Sequence, residues 1–254
     1  MDDVFAQTAY RCRLAWGRSG VQQAAARGDI LVIVDVFSFS SAVVTAVQHG
    51  GVIYPCAWDE DTTALARRIG GEAAVHRRDV PTRGRFSLSP LTYVTLAPAT
   101  RIVLASPNGA TCSRYARAVP YVFVGALLNA AAVAAAITQT LDLTHGAVTI
   151  IACGERWPTP SEDGALRFAI EDELGAGAIL SYLNYSKSPE ARTAEGAFMQ
   201  LRPDLAEVLT ECGSGRELHA KGWGADVDHC AQLNAYAAVP VMRDERLERY
   251  APRA

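Results

Sequence analysis

The sequence has no surplus of positive charge: 24 lysines and arginines stand against 27 aspartates and glutamates, for a net charge of −3. Without a basic field there is no electrostatic case for a nucleic acid polymer or an anionic membrane as partner, so an anionic ligand must be held by local groups. Charged residues make up only 20% and hydrophobic residues 50%, a balance that excludes disorder. Cysteine is sparse and unpatterned: Cys12, Cys56, Cys112, Cys153, Cys212 and Cys230 form no CxxC pair and no dense framework. That usage reads as reduced thiols in a cytoplasmic protein. The opening stretch MDDVFAQTAYRCRLAW lacks a basic segment followed by an apolar one, so no secretory signal is expected. The Ala-rich run NAAAVAAAI at 129–137 is too short to span a bilayer.

Familiar catalytic signatures are absent as well. There is no Walker A sequence, GxGxxG fingerprint, GxSxG elbow or HExxH helix. The aspartyl-phosphatase pattern DxDx(T/V) fails because Phe37 stands where its second aspartate belongs. CRLAWGRS at 12–19 fits Cys-x5-Arg-Ser, but Cys12 lies in an apparent strand, and Leu14 and Trp16 would obstruct a phosphate-cradling loop. The five histidines are dispersed without zinc-ligand spacing.

What is present is a rhythm of β-branched runs, each followed by a helical pattern. The runs are ILVIVD (30–35), GVIYP (51–55), RIVLAS (101–106), YVFVG (121–125) and AVTIIAC (147–153), with helices expected near 41–49, 59–69, 109–117, 129–140 and 164–185. Continuous Val/Ile runs without polar alternation suggest strands covered on both faces. The expected fold is therefore a three-layer α/β/α sandwich with a largely parallel, mixed central sheet. One domain over residues 1–254 is expected, with a frayed tail from about 243 to 254. The Arg-rich segment HRRDVPTRGRFSLSPLT at 76–92 breaks the rhythm and reads as a long functional loop.

In open α/β sheets ligands sit beyond the carboxyl ends of the strands. Here those ends carry Asp35 with Ser38, Ser40 and Ser41; Ser106 with Asn108 and Gly109; Gly125 with Asn129; and Cys153 with Gly154 and Glu155. Helix starts at such points offer free N–H groups and a positive dipole end to a phosphate, although each polar residue singly can be a helix cap. The segment IEDELGAGAI (170–179) places Glu171, Asp172 and Glu173 before two glycines, which inside a helix call for a close-approach reason. The acids read either as a solvated helix face or as partners of Asp35 in holding Mg²⁺.

The ordered segments RLAWGRSGV, ILVIVDVFSFSSAV, RFSLSP, ASPNGAT, VFVGALLNAAAVA, IIACGERW, IEDELGAGAI and GRELHAKGWGADVDHCAQLN resemble the 2-phosphosulfolactate phosphatase (ComB-like) family, from about residue 10 to residue 242. No single segment is decisive; the ordered set is specific. The resemblance implies a single α/β/α domain, Mg²⁺ dependence and hydrolysis of a phosphate monoester, which in that family is 2-phospho-3-sulfolactate. Asp35 matches the aspartate of the family's D-V-L-R-A-S-T-T stretch, Asn108 and Gly109 its T-N-G turn, Asn129 its G-S-x-x-N-A, and Glu171 with Asp172 its L-E-D. Asp226 matches an aspartate late in the family's chain. Two positions depart: Ser38 stands where many members carry arginine, and Leu88 where an asparagine precedes Ser-Pro. Losing a fixed cation removes a bidentate partner for phosphate or sulfonate, and Arg77, Arg78, Arg83 or Arg85 on the long loop are candidates to supply one.

The chemistry expected is then Mg²⁺ held by Asp35 and one of Glu171 or Asp172. Backbone N–H groups after Asp35 and around Asn108–Gly109, with Ser38, Ser40, Ser41 and Asn129, would hold the phosphoryl oxygens. Glu155 is either the general base or half of a structural salt bridge. The expected partner is a small phosphorylated metabolite, and apolar surface helices would allow a homodimer. Two alternatives stand beside this: a phosphatase for a sugar phosphate or nucleoside monophosphate, and a non-catalytic protein that binds an anionic metabolite.

Overall fold

A computed structural model describes residues 4–161 and 164–251. Nine strands form one sheet: β1 (Cys12–Trp16), β2 (Ile30–Val34), β3 (Val52–Cys56), β4 (Glu72–Ala73), β5 (Arg101–Ala105), β6 (Val122–Gly125), β7 (Val148–Ala152), β10 (Pro240–Arg243) and β11 (Arg246–Arg249). A separate two-stranded hairpin pairs β8 (Glu155–Ser161) with β9 (Gly164–Arg167). The helices are α1 (Gly17–Arg27), α2 (Phe39–Gln48), α3 (Thr62–Ile69), α4 (Gly109–Tyr115), α5 (Ala130–Thr144), α6 (Ile170–Leu180), α7 (Pro189–Leu201), α8 (Leu205–Glu211), α9 (Gly213–Ala220) and α10 (Gly224–Cys230).

The sheet order is β1-β7-β2-β6-β10-β11-β3-β5-β4. Pairing is parallel through β1-β7-β2-β6 and through β3-β5-β4, while the β10–β11 hairpin is inserted antiparallel between the two blocks. In β2 the side chains alternate between two cores, as a period of two residues requires. Ile30, Val32 and Val34 pack with α5, α6 and α7, and Leu31 and Ile33 pack with α1, α2 and α4. All five residues of β2 are buried, which explains a run without polar alternation. The three-layer sandwich is thus observed.

Three expectations need correction. Residues 164–167 form strand β9 rather than the start of a long helix, and α6 begins only at Ile170. The expected frayed tail at about 243–254 instead holds β11, whose Leu247 is fully buried and pairs with Ile53 of β3; residues 252–254 lie outside the described residues. ERLER is charge-rich because Arg246 and Glu248 face outward while Leu247 alone points into the core, a pattern that reads as polar tail in one dimension. The third concerns 129–137, which belong to a longer helical run. Leu127–Thr144 is long and apolar enough to cross a membrane by length and composition, and it packs Val133, Ile137 and Leu141 against the sheet.

The two glycines of α6 have the close-approach role anticipated. A Cβ at Gly175 would lie 2.7 Å from Cγ2 of Val36, and one at Gly177 would strike the carbonyl of Ala194 on α7. Substituting Leu247 by alanine should cost about 2–5 kcal/mol in urea unfolding; a frayed tail would give no measurable change.

Candidate active site

Strand β2 ends at Val34 and the chain turns sharply into α2, leaving Asp35 at the turn. The turn is fastened from within. The Asp35 N–H donates to Oγ of Ser40 (2.9 Å), and that hydroxyl donates to the carbonyl of Ile33 (3.1 Å). The Ser41 hydroxyl donates to the carbonyl of Val36 (2.9 Å). Both serines are fully buried. They serve the backbone, and the expectation that Ser40 and Ser41 contact a phosphate is corrected. Asn129 is corrected on the same ground: its Oδ1 accepts from Ala126 N–H (2.9 Å), its Nδ2 donates to the carbonyl of Ala238 (2.9 Å), and it is fully buried. Short polar side chains that satisfy backbone groups in a turn look, in sequence, the same as ligand contacts.

Asp35 itself is nearly enclosed, at 4% exposure. Its Oδ2 accepts from Gly109 N–H (2.7 Å) and from the Ser106 hydroxyl (3.4 Å), and its Oδ1 accepts from Phe39 N–H (3.3 Å). Gly109 is required here, since a Cβ would sit 2.7 Å from Asp35 Oδ2 and collide with the Phe39 ring. The amides expected to cradle phosphate, those of Phe39 and Gly109, are therefore spent on the Asp35 carboxylate. Hydrogen bonds to a carboxylate normally lower its pKa. Burial outweighs them, and Asp35 is pushed up to about 6.

Three more carboxylates crowd around it. Asp172, at the start of α6, bridges two strand ends: Oδ1 accepts from Val36 N–H (2.7 Å) and Oδ2 from Gly154 N–H (2.8 Å). Its pKa is raised well above the usual carboxylate range by burial, then by Asp35 and Glu171. Glu155, the first residue of β8, accepts from Asn108 Nδ2 (3.0 Å) and is pushed up to about 7 by burial, then by Asp35 and Glu171. Glu171 is 2% exposed and lies against the Cys212 thiol (3.7 Å). Among the described residues no lysine, arginine or histidine forms an ion pair with any of the four. The alternative of a structural salt bridge for Glu155 is thereby unsupported. Asp35 and Glu155 line a cavity of about 190 Å³ with Ser38, Ser106, Asn108 and Arg77.

A buried, uncompensated cluster of hard oxygen donors is the chemistry that suits a divalent cation. No group of three metal-ligating side chains among the described residues is close enough to form a protein cage. The fit is to a cation held by one or two carboxylates, with water and ligand oxygens completing its shell, as is usual for Mg²⁺.

The loop at 76–92 contributes the residue least visible beforehand. Arg77 reaches into the cavity, donating from Nη2 to the Ser38 hydroxyl and to the Leu88 carbonyl (3.2 Å), and from Nε to Asp226 Oδ2 (2.8 Å). Asp226 is fixed in turn by the Ser89 hydroxyl (2.5 Å). Arg83 and Arg85, also candidates, pair with Asp79 and Glu72 at the surface. Lys221 and Trp223, on the connection from α9 to α10, also line the cavity and were not singled out from sequence. The only signal for them was their place in the segment GRELHAKGWGAD. Cys12 is fully buried in β1 with its thiol pushed up to about 11 by burial, so it is no nucleophile.

An α/β sheet that gathers carboxylates, hydroxyls and one arginine beyond its strand ends has them where open α/β sheets bind their ligands. Comparison with known proteins narrows this. The family model described as 2-phosphosulpholactate phosphatase matches residues 18–245, and the chain belongs to that family. A probable 2-phosphosulfolactate phosphatase of Pseudothermotoga lettingae is 29% identical over 229 residues, 88% of this chain and 93% of the relative. One from Carboxydothermus hydrogenoformans is 31% identical over 220 residues, 85% and 87% respectively. The 2-phosphosulfolactate phosphatase of Methanothermobacter thermautotrophicus is 27% identical over 219 residues, 86% and 89% respectively.

The carboxylate crowding has a consequence for stability. Glu155 in the fold titrates about 7 against 4.5 ordinarily, so the fold binds more protons than the unfolded chain between those values. Its stabilising contribution is complete below about pH 4.5 and is lost as pH rises through 7. In metal-free buffer at pH 8, Glu155→Gln should raise Tm by several degrees, at about 2–4 °C per kcal/mol recovered. The gain should vanish near pH 4.5, as read by calorimetry at the two pH values.

Proposed function

We propose that this chain is a Mg²⁺-dependent phosphatase that hydrolyses a small phosphate monoester of the 2-phospho-3-sulfolactate type at the Asp35 cavity. The observation that carries the reading is the cluster of buried Asp35, Glu171 and Asp172 with half-buried Glu155 beside them, none of them in an ion pair among the described residues; Asp35 and Glu155 face a cavity that also holds Ser38, Asn108 and Arg77. Membership of the family, and relatives named for this reaction, agree with it.

Asp35 and Glu171 would hold the cation, while Asp172, with both oxygens taken up by backbone N–H groups, braces the ends of β2 and β7. When bound, Mg²⁺ would supply charge neutralisation at the phosphoryl oxygens. This chain's own groups do the rest. Ser38 and the Asn108 side-chain amide, which keeps one N–H beyond the one given to Glu155, offer hydrogen bonds at the cavity wall to a phosphoryl group. Glu155 takes a proton from the attacking water as its oxygen bonds to phosphorus. The ester P–O bond breaks, the leaving oxygen takes a proton from solvent water, and Glu155 releases its own to solvent. A base that titrates near neutrality is well matched to this role, because it is deprotonated at working pH yet still basic enough to accept a proton.

Phosphate release should require divalent cation and stop on chelation. Asp35→Asn should bring it to background while circular dichroism shows the fold retained; undiminished release would sink the assignment of Asp35. The rate should rise with pH along an acid limb near or below pH 7, since a neighbouring cation favours the charged form of Glu155. Glu155→Gln should lower kcat by about 10²–10⁴ and abolish that limb.

A further inference from the structure

Beside the reaction cavity opens a larger one, of about 590 Å³, and the two share four walls: Arg77, Leu88, Lys221 and Trp223. The character of the site changes across this boundary. On the Asp35 side the ionisable groups are carboxylates, whereas the boundary carries Arg77 and Lys221, with His76, Arg78 and Glu60 beyond, the last paired with Arg114.

Arg77 is held too firmly for a solvated loop residue. Its side chain is 13% exposed, against 76% for Arg83 and 66% for Arg85 on the same loop. Asp226 fixes Nε, Ser38 and the Leu88 carbonyl fix Nη2, and the guanidinium lies over the Trp223 ring at 5.2 Å. Nη1 has no hydrogen-bond partner among the described residues. Ordering an arginine side chain forfeits much of its rotamer freedom. Fixing one with a donor left over, at the rim between two cavities, is the arrangement of an anion receptor. Lys221, whose partner Glu217 is at the surface, adds a second charge at the same rim.

We infer that Arg77, assisted by Lys221, is the specificity-determining residue of this site. It receives an anionic substituent, a carboxylate or sulfonate, carried by the leaving group next to the ester oxygen, and the larger cavity accommodates that leaving group. The inference rests on the phosphatase reading and adds to it which residue selects the substrate. A guanidinium with a free N–H edge distinguishes such an anion from a hydroxymethyl group in the same place, because its charge-assisted hydrogen bond to an anion is stronger than one to a neutral hydroxyl.

The test uses the full chain with Mg²⁺ and two esters of one skeleton: 2-phosphoglycerate, which bears a carboxylate beside the ester, and glycerol 2-phosphate, which bears a hydroxymethyl there. The expected kcat/KM ratio favours 2-phosphoglycerate by tenfold or more, mostly through KM. In Arg77→Met the ratio falls toward one, and Arg77→Lys recovers part of it. Arg77→Met leaves Asp226 buried without its partner and endangers folding, so Lys221→Met, at a half-exposed position, is the second variant, with a ratio lowered about threefold. Equal turnover of both esters by the wild type overturns the inference and leaves the phosphatase reading intact. A ratio unmoved by the variants, with both esters slowed alike, also overturns it, because that marks a purely structural arginine. Phosphate release from neither ester, nor from any other monoester, overturns the phosphatase reading and this inference with it.

Discussion

The buried carboxylate of Asp35 is the constraint around which the rest is arranged. A carboxylate at 4% exposure is costly to keep charged unless its surroundings compensate. The fold supplies two N–H groups and one hydroxyl, from Phe39, Gly109 and Ser106. These come from the ends of two different strands, β2 and β5, so one charge ties together the two turns that shape the cavity. Three hydrogen bonds do not suffice, and the pKa still rises to about 6. The deficit is what a divalent cation would make up. A stabler protein could have placed an arginine there, but a permanent partner would exclude the cation of the proposed function.

How α6 reaches this cluster shows function and packing working through the same residues. Asp172 can bridge Val36 and Gly154 only if the first turn of α6 lies directly against the end of β2. Gly175, one turn on, touches Val36 with no side chain between them, and Gly177 lets α7 close on the other side. The acids also occupy the first turn of the helix, where the dipole favours negative charge by about 0.3–1 kcal/mol. That gain is small against the mutual repulsion of four carboxylates, so helix electrostatics alone cannot explain why they are gathered.

Much of the fold was legible because buried parallel strands leave a strong mark. The five Val/Ile runs all became strands of the sheet, and Asp35 was evident from standing at the end of one. Residues whose meaning depends on distant partners were not legible. Ser40, Ser41 and Asn129 have the composition of a phosphate site, but they are consumed by backbone groups, local ones for the serines and both local and distant ones for Asn129. Glu248 and Arg246 disguised a core strand as a tail, since a four-residue strand with one inward apolar residue carries no periodic signal. Arg77 could be named as one of four loop arginines, but choosing among them needs Asp226, which is 149 residues away in the chain.

The site thus divides into two halves with different structural origins. Its anionic half is built by the sheet: the carboxylates sit on strand ends and the first turn of a helix packed against them, so their positions are set by the same contacts that hold the core. Its cationic half is built by connections, the loop at 76–92 and the segment from α9 to α10, with Arg77 and Ser89 of the loop anchored to Asp226 in the first turn of α10. Loops tolerate sequence change that strand ends do not. A protein with this layout can keep its phosphoryl chemistry fixed while the selection of the leaving group changes. Ser38, lying between the halves, marks the division: its backbone belongs to the Asp35 turn, and its hydroxyl takes a hydrogen bond from the loop arginine.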